Sequence, residues 1–393
     1  MKESRLTRWA VLAEIYLCML SFAVAFQSIP PVMGMILEHF HLSHHEGGLL
    51  MSMFAFPGII VSLPAGMLID RFGVKPIGIA TLILTVVGTA LVATADAFSA
   101  ILTGRIIAGM GALTLVIISP QAVAQWFRGR EIGIAMGTFN TAMPIGTIAA
   151  LNVMPALASA YGWRTGIWTT FAFALMTLII FTAFYRSREG EERATATGEA
   201  VWNIKAAGGS IWLVGGAWGL FNASIISLST FAPDFMVNRG LALASAGFDT
   251  SLVMVGSLVL SPFIGYLVDK TGGTEAFIAA GGIGMAILIL LFPAGVGLFA
   301  AIMLGVGLVA ALIPAPVFSL SARVVRPERL GMGYGIISLC NTLGVFVGPQ
   351  AVGLVRDATG SYGMGFVLMA VFALLAAVSI FPLWLRRRRP KVA

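Results

Sequence analysis

Apolar residues along this chain do not line a single helical face or alternate as in a half-buried strand. They run on for 18 residues and more, twelve times over, with short polar breaks between. About 20 consecutive apolar residues are what a helix needs to cross a bilayer, so each run is predicted to be a transmembrane helix. The spans fall at 9–35, 47–69, 76–94, 98–126, 132–160 and 165–185, then at 210–236, 245–268, 275–292, 297–324, 330–355 and 362–385. Residues 186–209 are the most hydrophilic stretch. The pattern therefore predicts an all-α membrane protein, with six helices in residues 1–185, a cytoplasmic linker at 186–209 and six more in 210–393.

Composition agrees with the pattern. Of the 393 residues 58% are hydrophobic and 10% charged, where soluble domains carry about 25% charged residues. The 46 glycines and 17 prolines suit membrane helices, which tolerate both. Cys18 and Cys340 both lie inside spans, which argues against a disulfide framework or zinc ribbon. The net charge of +7 could indicate nucleic acid, but the basic residues sit in short loops and at the ends. With Lys2, Arg5 and Arg8 inside, one face collects twenty Lys and Arg against three (Arg164, Arg239 and Arg356), so both termini are expected in the cytoplasm and nucleic acid is not expected as a partner. The first span runs into Pro30-Pro31 without a small-residue cleavage site, so a cleavable signal peptide is not expected.

The two halves repeat one another. Pro64-Ala65-Gly66-Met67-Leu68-Ile69-Asp70-Arg71-Phe72-Gly73-Val74-Lys75 is echoed 199 residues on by Gly265-Tyr266-Leu267-Val268-Asp269-Lys270-Thr271-Gly272-Gly273. Gly133, Gly137, Gly146 and Gly162 return 198 residues later as Gly331, Gly335, Gly344 and Gly360. Both charged stretches resemble the loop signature of the major facilitator superfamily of secondary transporters. That resemblance implies two pseudo-symmetric six-helix halves that rock about a midplane site. A carboxylate at a helix C-terminus is disfavoured by the helix dipole and needs a partner. The resemblance supplies one: Asp70 would face the start of the eleventh helix with Arg128 or Arg130 beside it, and Asp269 would mirror it at the fifth. Arg71 belongs to the same cytoplasmic gate, and Gly66 and Gly265 would let the backbones approach closely. The alternative is that Asp70 and Arg71 are solvated loop charges.

Within the fourth span, Gly104-Arg105-Ile106-Ile107-Ala108-Gly109-Met110-Gly111 resembles the family's fourth-helix motif, in which the arginine is implicated in coupling. A charge in hydrocarbon costs about 2.5 kcal/mol or more, so Arg105 is expected to face the bundle interior. It could line the substrate path or clamp backbone carbonyls. Its repeat counterpart is Val306, so the architecture does not demand it. Glu14 is a second coupling candidate, unless it reaches the interface. Gln27, Asn140, Asn222, Ser338, Asn341 and Thr342, with Tyr334, Trp218 and Ser229 on the same helical faces, form an uncharged polar set. They would line a cavity or simply hydrogen-bond neighbouring helices.

The four histidines, His39, His41, His44 and His45, share one loop with Glu38 and Glu46, yet Ser43 and Glu46 are spaced as a capping box and no metal site is assigned. No phosphate-binding loop or catalytic constellation is present, so the chain reads as a non-enzyme without cofactor, driven by an ion or solute gradient. Gly335, Gly344, Gly348 and Pro349 resemble the antiporter signature, but in the eleventh helix. The fifth, where that signature belongs, has Gly137, Gly146, Ala150 and Leu151, which counts against drug–proton antiport. The first five spans resemble the branch of nitrate, cyanate and oxalate-type carriers, though spans two and eight lack the arginines of nitrate carriers. The expected activity is proton-linked symport or exchange of a small organic anion by a monomer in the inner (cell) membrane. The alternatives are an exporter of hydrophobic compounds and a non-transporting sensor or partner subunit. Arg386 to Arg389 would anchor the last helix at anionic headgroups.

Overall fold

The computed structural model describes residues 5–127, 131–186, 208–295, 297–325 and 330–388. The side chains of 5, 62–71, 124, 132–133, 269, 322, 330–332 and 386–388 lie outside the described set. Among the described residues every regular element is helical. Eleven stretches are long and apolar enough to cross a membrane, and the 29-residue helix His44–Phe72 covers the second predicted span.

The chain divides into two compact units. Unit 1 holds α1 (Arg5–Phe26), α2 (Met33–Phe40), α3 (His44–Phe72) beyond its first turn, α4 (Val74–Ala93), α5 (Phe98–Phe127), α6 (Ile132–Asn140), α7 (Ala142–Tyr161) and α8 (Trp163–Phe184). Unit 2 holds α9 (Gly209–Asn238), α10 (Leu243–Thr271) beyond its first turn, α11 (Thr274–Leu291), α12 (Phe299–Ala310), α13 (Pro314–Val324), α14 (Leu330–Thr359), α15 (Tyr362–Ser379) and α16 (Phe381–Arg388). The first turn of α3, Ser43–Gly48, clusters with unit 2, and the first turn of α10, Ala242–Gly247, with unit 1. These two segments stand 199 residues apart.

Four predicted spans are interrupted, the last of them at Ile380 between α15 and α16. The first stops as an α-helix at Phe26, passes through a short 3₁₀ turn at Pro30–Val32 and resumes as α2. Pro30 has no N–H to return to the Phe26 carbonyl, so the ladder fails there. The fifth breaks at Thr141, where Pro144 deprives the Asn140 carbonyl of its partner in the same way. The tenth breaks between Ala310 and Pro314, and the Ile313 N–H takes over the Ala310 carbonyl at 3.1 Å.

Helix pairing follows one plan inside each unit. In unit 1, α1 packs on α5, α7 and α8, and α4 packs on α5 and α8. In unit 2, α9 packs on α13, α14 and α15, and α11 packs on α12, α13 and α15. Glycine makes the tightest of these contacts possible. A Cβ on Gly88 would overlap the backbone of Ala108, one on Gly111 the Thr81 carbonyl and one on Gly109 the Phe54 carbonyl, so α5 is wedged between α4 and α3. In unit 2 a Cβ on Gly344 would overlap the backbone of Gly219. Gly137 and Gly335 have no described atom within 4 Å of such a Cβ.

Candidate functional site

Arg105 is buried in unit 1 and its guanidinium is fully engaged. Nε donates to the Leu50 carbonyl at 2.9 Å. Nη1 donates to the Ala25 carbonyl at 2.8 Å and to Ser28 Oγ at 3.2 Å. Nη2 donates to the Phe26 carbonyl at 3.3 Å. The ring of Phe54 lies 4.3 Å from the guanidinium carbon, a cation–π contact. Ala25 and Phe26 end α1, where carbonyls lack intrahelical partners and the dipole favours a cation. Arg105 thus tethers the broken end of α1 to α3. Of the two readings open from sequence, the carbonyl clamp describes its contacts.

Other polar groups of unit 1 are buried without such satisfaction. Gln27, one residue past α1, is 1% exposed, and neither its amide oxygen nor its nitrogen has a hydrogen-bond partner among the described residues. The same holds for Ser21 Oγ, Thr147 Oγ1 and Glu14 Oε2. Asn140 is exposed at the end of α6, next to Thr141, whose hydroxyl lies 3.0 Å from that of Tyr16 on α1.

In unit 2, Tyr334 and Ser338 are exposed on α14. Asn341 is half-buried with Oδ1 unpartnered, while Thr342 donates to the Ser338 carbonyl at 3.0 Å. On α9, Asn222 donates to the Trp218 carbonyl at 2.8 Å, and Ser229 is buried and donates to Ile225 within its own helix.

The expected gate lies mostly beyond description. Gly66, Asp70 and Arg71 are on the last turns of α3 and Asp269 on α10, with side chains outside the described set, and Arg128 and Arg130 are outside the described residues. Within its own unit, a Cβ on Gly265 meets no described atom within 4 Å. The capping box is formed: Glu46 Oε2 accepts from the Ser43 N–H at 2.8 Å, and Ser43 Oγ accepts from the Glu46 N–H at 3.2 Å.

Sequence reasoning missed a polar cluster in unit 2. Asp357, near the end of α14, accepts the N–H groups of His44 at 3.1 Å and His45 at 2.7 Å, capping the N-terminus of α3. The His44 ring lies between two carboxylates, Nδ1 at 3.3 Å from Asp357 Oδ1 and Nε2 at 3.4 Å from Asp234 Oδ2. Tyr362 donates its hydroxyl proton to Asp234, and its oxygen lies 2.8 Å from His44 Nε2 and accepts from Asn238 Nδ2 at 3.1 Å. Arg356 stacks 4.7 Å from the Tyr362 ring. Asp234 was within reach of the rule that singled out Arg105, since it is an ionisable residue inside a predicted span.

A sequence profile described as the Major Facilitator Superfamily matches residues 15–253 and 220–393. Among curated relatives, the nitrite extrusion protein of Bacillus subtilis is 24% identical over 365 residues, covering 92% of this chain and 90% of its own. The lysosomal dipeptide transporter MFSD1 of Danio rerio is 23% identical, covering 94% and 86%. The probable nitrate transporter NarT of Staphylococcus epidermidis is 21% identical, covering 92% of each. Among solved structures, a bacterial homolog of the human lysosomal transporter Spinster superposes with a TM-score of 0.82 at 16% identity, covering 99% of this chain and 100% of that one. The nucleoside transporter NupG gives 0.81 at 13% identity, covering 95% and 99%. At these identities the two structures speak to the fold.

Proposed function

Because the chain belongs to the Major Facilitator Superfamily and is a multi-pass membrane transporter rather than an enzyme, we propose that it carries a small anion across the cell membrane by alternating access, in a proton-linked cycle. In this reading residues 1–185 and 210–393 are duplicated six-helix halves, an inference supported by the recurring helix pairing and the 198–199-residue offsets. Both termini and the 186–209 linker are cytoplasmic, and the working unit is a monomer. Asp70, Arg71 and Asp269, with Arg128 or Arg130, close the cytoplasmic gate.

The observation that carries the substrate assignment is unspent hydrogen-bonding capacity. A buried amide without a partner costs about 1–3 kcal/mol, so Gln27 is retained at a cost to stability. An anion offers the acceptor that the Gln27 amide nitrogen lacks. Arg105 supports α1 from behind, its donors already spent on carbonyls. The leading substrate is a small organic carboxylate. The relatives named for nitrite and nitrate favour the same size and charge. The dipeptide transporter among them supports a second reading, a small polar solute bearing a carboxylate.

The test is uptake into proteoliposomes with an imposed pH gradient, offering formate, oxalate, nitrite, nitrate and a dipeptide in turn. One of them should accumulate, and Gln27→Ala should lower the rate about tenfold or more, the loss expected when one oriented hydrogen bond to a charged ligand is removed. If no anion moves, or if Gln27→Ala transports at the parent rate, the assignment fails.

A further inference from the structure

The first turn of α3 and the first turn of α10 are seated in matching ways, and the difference between the two seats is informative. A Cβ on Gly48 would overlap the carbonyl of Pro349, and one on Gly247 would overlap the carbonyl of Leu151. Gly48 and Gly247 are 199 residues apart, and Leu151 and Pro349 are 198 apart. Both turns thus rest glycine-to-backbone on the equivalent helix, and backbone contact suffices to seat a turn there. Around α3 the structure adds His44, Asp357, Asp234 and Tyr362. At the positions corresponding to His44, Asp357 and Tyr362 stand Leu243, Ser159 and Arg164. Ser159 bonds its own helix at the Pro155 carbonyl, and Arg164 pairs with Asp96 and the Ala95 carbonyl. The titratable groups are surplus to seating.

We propose that His44, Asp234, Asp357 and Tyr362 form a proton-binding site that holds the first turn of α3 on α14 while occupied and releases it when the proton leaves. The proposal rests on the proton-linked reading above. A neutral imidazole has one N–H and one lone pair. Here Nε2 faces the Tyr362 oxygen, whose own proton is given to Asp234, and Nδ1 faces Asp357 Oδ1. Nε2 thus bonds the phenol oxygen, while Nδ1 sits at ion-pair distance from Asp357 Oδ1, so it is the two carboxylates at 3.3 and 3.4 Å that favour a second proton on the ring. When a proton departs to water, a lone pair is left against a carboxylate or a phenol oxygen. The same carboxylate caps the α3 N-terminus through the His44 and His45 N–H groups, so losing its grip on the ring weakens the cap.

The charged and titratable groups facing the ring come from every neighbouring element. They are Asp234 from α9, Asp357 and Arg356 from α14, and Tyr362 from α15. On α3 itself, His45 Nδ1 lies 3.4 Å from the Gln350 carbonyl and Glu46 is turned to Ser43. Arg239, at the end of α9, is stacked on Phe235.

Spin labels at Ser43 and Thr359, in a background lacking Cys18 and Cys340, report separation of the start of α3 from the end of α14. In proteoliposomes the longer-distance population should grow on the order of fivefold between about pH 5.5 and about pH 8.5. His44→Gln and Asp357→Asn should flatten that response, and Ser159→Ala, on the α10 side, should keep it. Melting curves establish that each variant is folded. A pH-independent distribution in the parent, or a full response in folded His44→Gln, overturns the site. Uptake in the same vesicles separates the two claims. Distances that respond while no solute moves sink the transport reading and leave the site standing, and the reverse result sinks the site alone.

Discussion

Unit 1 buries, and unit 2 half-buries, a polar network around one basic side chain, and the two are built from opposite materials. Arg105 is met by three backbone carbonyls, a serine hydroxyl and an aromatic face. His44 is met by two carboxylates and a phenol. A guanidinium keeps its charge at any pH a cell meets, and carbonyl dipoles do not titrate. The first network therefore holds the same charge throughout a transport cycle, whereas every main partner in the second can gain or lose a proton. One is a fixed tether and the other is a switch. The sharpest way to break that comparison is Arg105→Ala. It strands the Ala25 and Phe26 carbonyls at the end of α1 and opens a void beside Phe54, so a loss of about 3 kcal/mol or more is expected, read as a large fall in melting temperature in detergent. Arg105→Lys should recover only part, because one ammonium cannot span acceptors on two helices. Full recovery by lysine would show that the fork geometry is not what matters.

The next largest effects sharpen the likeness of the two units. Gly109→Ala in unit 1 and Gly344→Ala in unit 2 each drive a methyl into the backbone of a neighbouring helix, and both should cost about 1–3 kcal/mol. Gly137→Ala and Gly335→Ala, 198 residues apart and both in open space, should be neutral or slightly stabilising, since alanine favours helix over glycine. Thermal denaturation of the four variants would show whether tight and open positions recur in step. A costly Gly137→Ala would mean that the space beside it fills in some other state.

Much of this was legible along the chain. Uninterrupted apolar runs located the helices because a bilayer leaves backbone groups no partner but their own helix. The capping box of Ser43 and Glu46 was legible because its partners are three residues apart. The break after Phe26 could have been taken from Pro30, whereas the break at Thr141 depends on a proline three residues later inside an otherwise unremarkable span. The identity of the groups around Arg105 was not legible, because carbonyls carry no sequence signature. The His44 cluster was hidden for another reason: its members come from α3, α9, α14 and α15, with His44 and Asp357 separated by 313 positions. No local pattern joins them, although Asp234 inside an apolar span was a signal by itself.

Asp357 also offers a smaller test of the contrast, one of stability rather than pH response. Asp357 accepts the His44 N–H at one carboxylate oxygen and the His45 N–H at the other, so Asp357→Asn should keep one of these bonds and lose the second together with its charge beside the α3 N-terminus and the His44 ring. The expected cost is about 1–2 kcal/mol. Ser159→Ala, at the equivalent place beside α10, removes a bond within one helix and should be close to neutral. Equal costs for the two would erase the asymmetry between the seats.

The smallest expected effect lies in unit 1, at the ion pair of Arg164 with Asp96. The two meet at 2.8 Å, as close as any charge pair in the His44 cluster, yet Asp96 is 93% exposed. Water and salt screen such a pair, so Asp96→Asn should cost no more than about 0.5 kcal/mol, and the cost should shrink as salt is added. Arg164 would keep its bond to the Ala95 carbonyl and its place over Trp163, so the turn between α7 and α8 should hold. A melting temperature for Asp96→Asn well below that of the parent, and insensitive to salt, would mean that headgroups or a buried conformation shield this pair. In that case distance alone would rank the polar contacts of the two units, and burial would lose its place as the property that separates them.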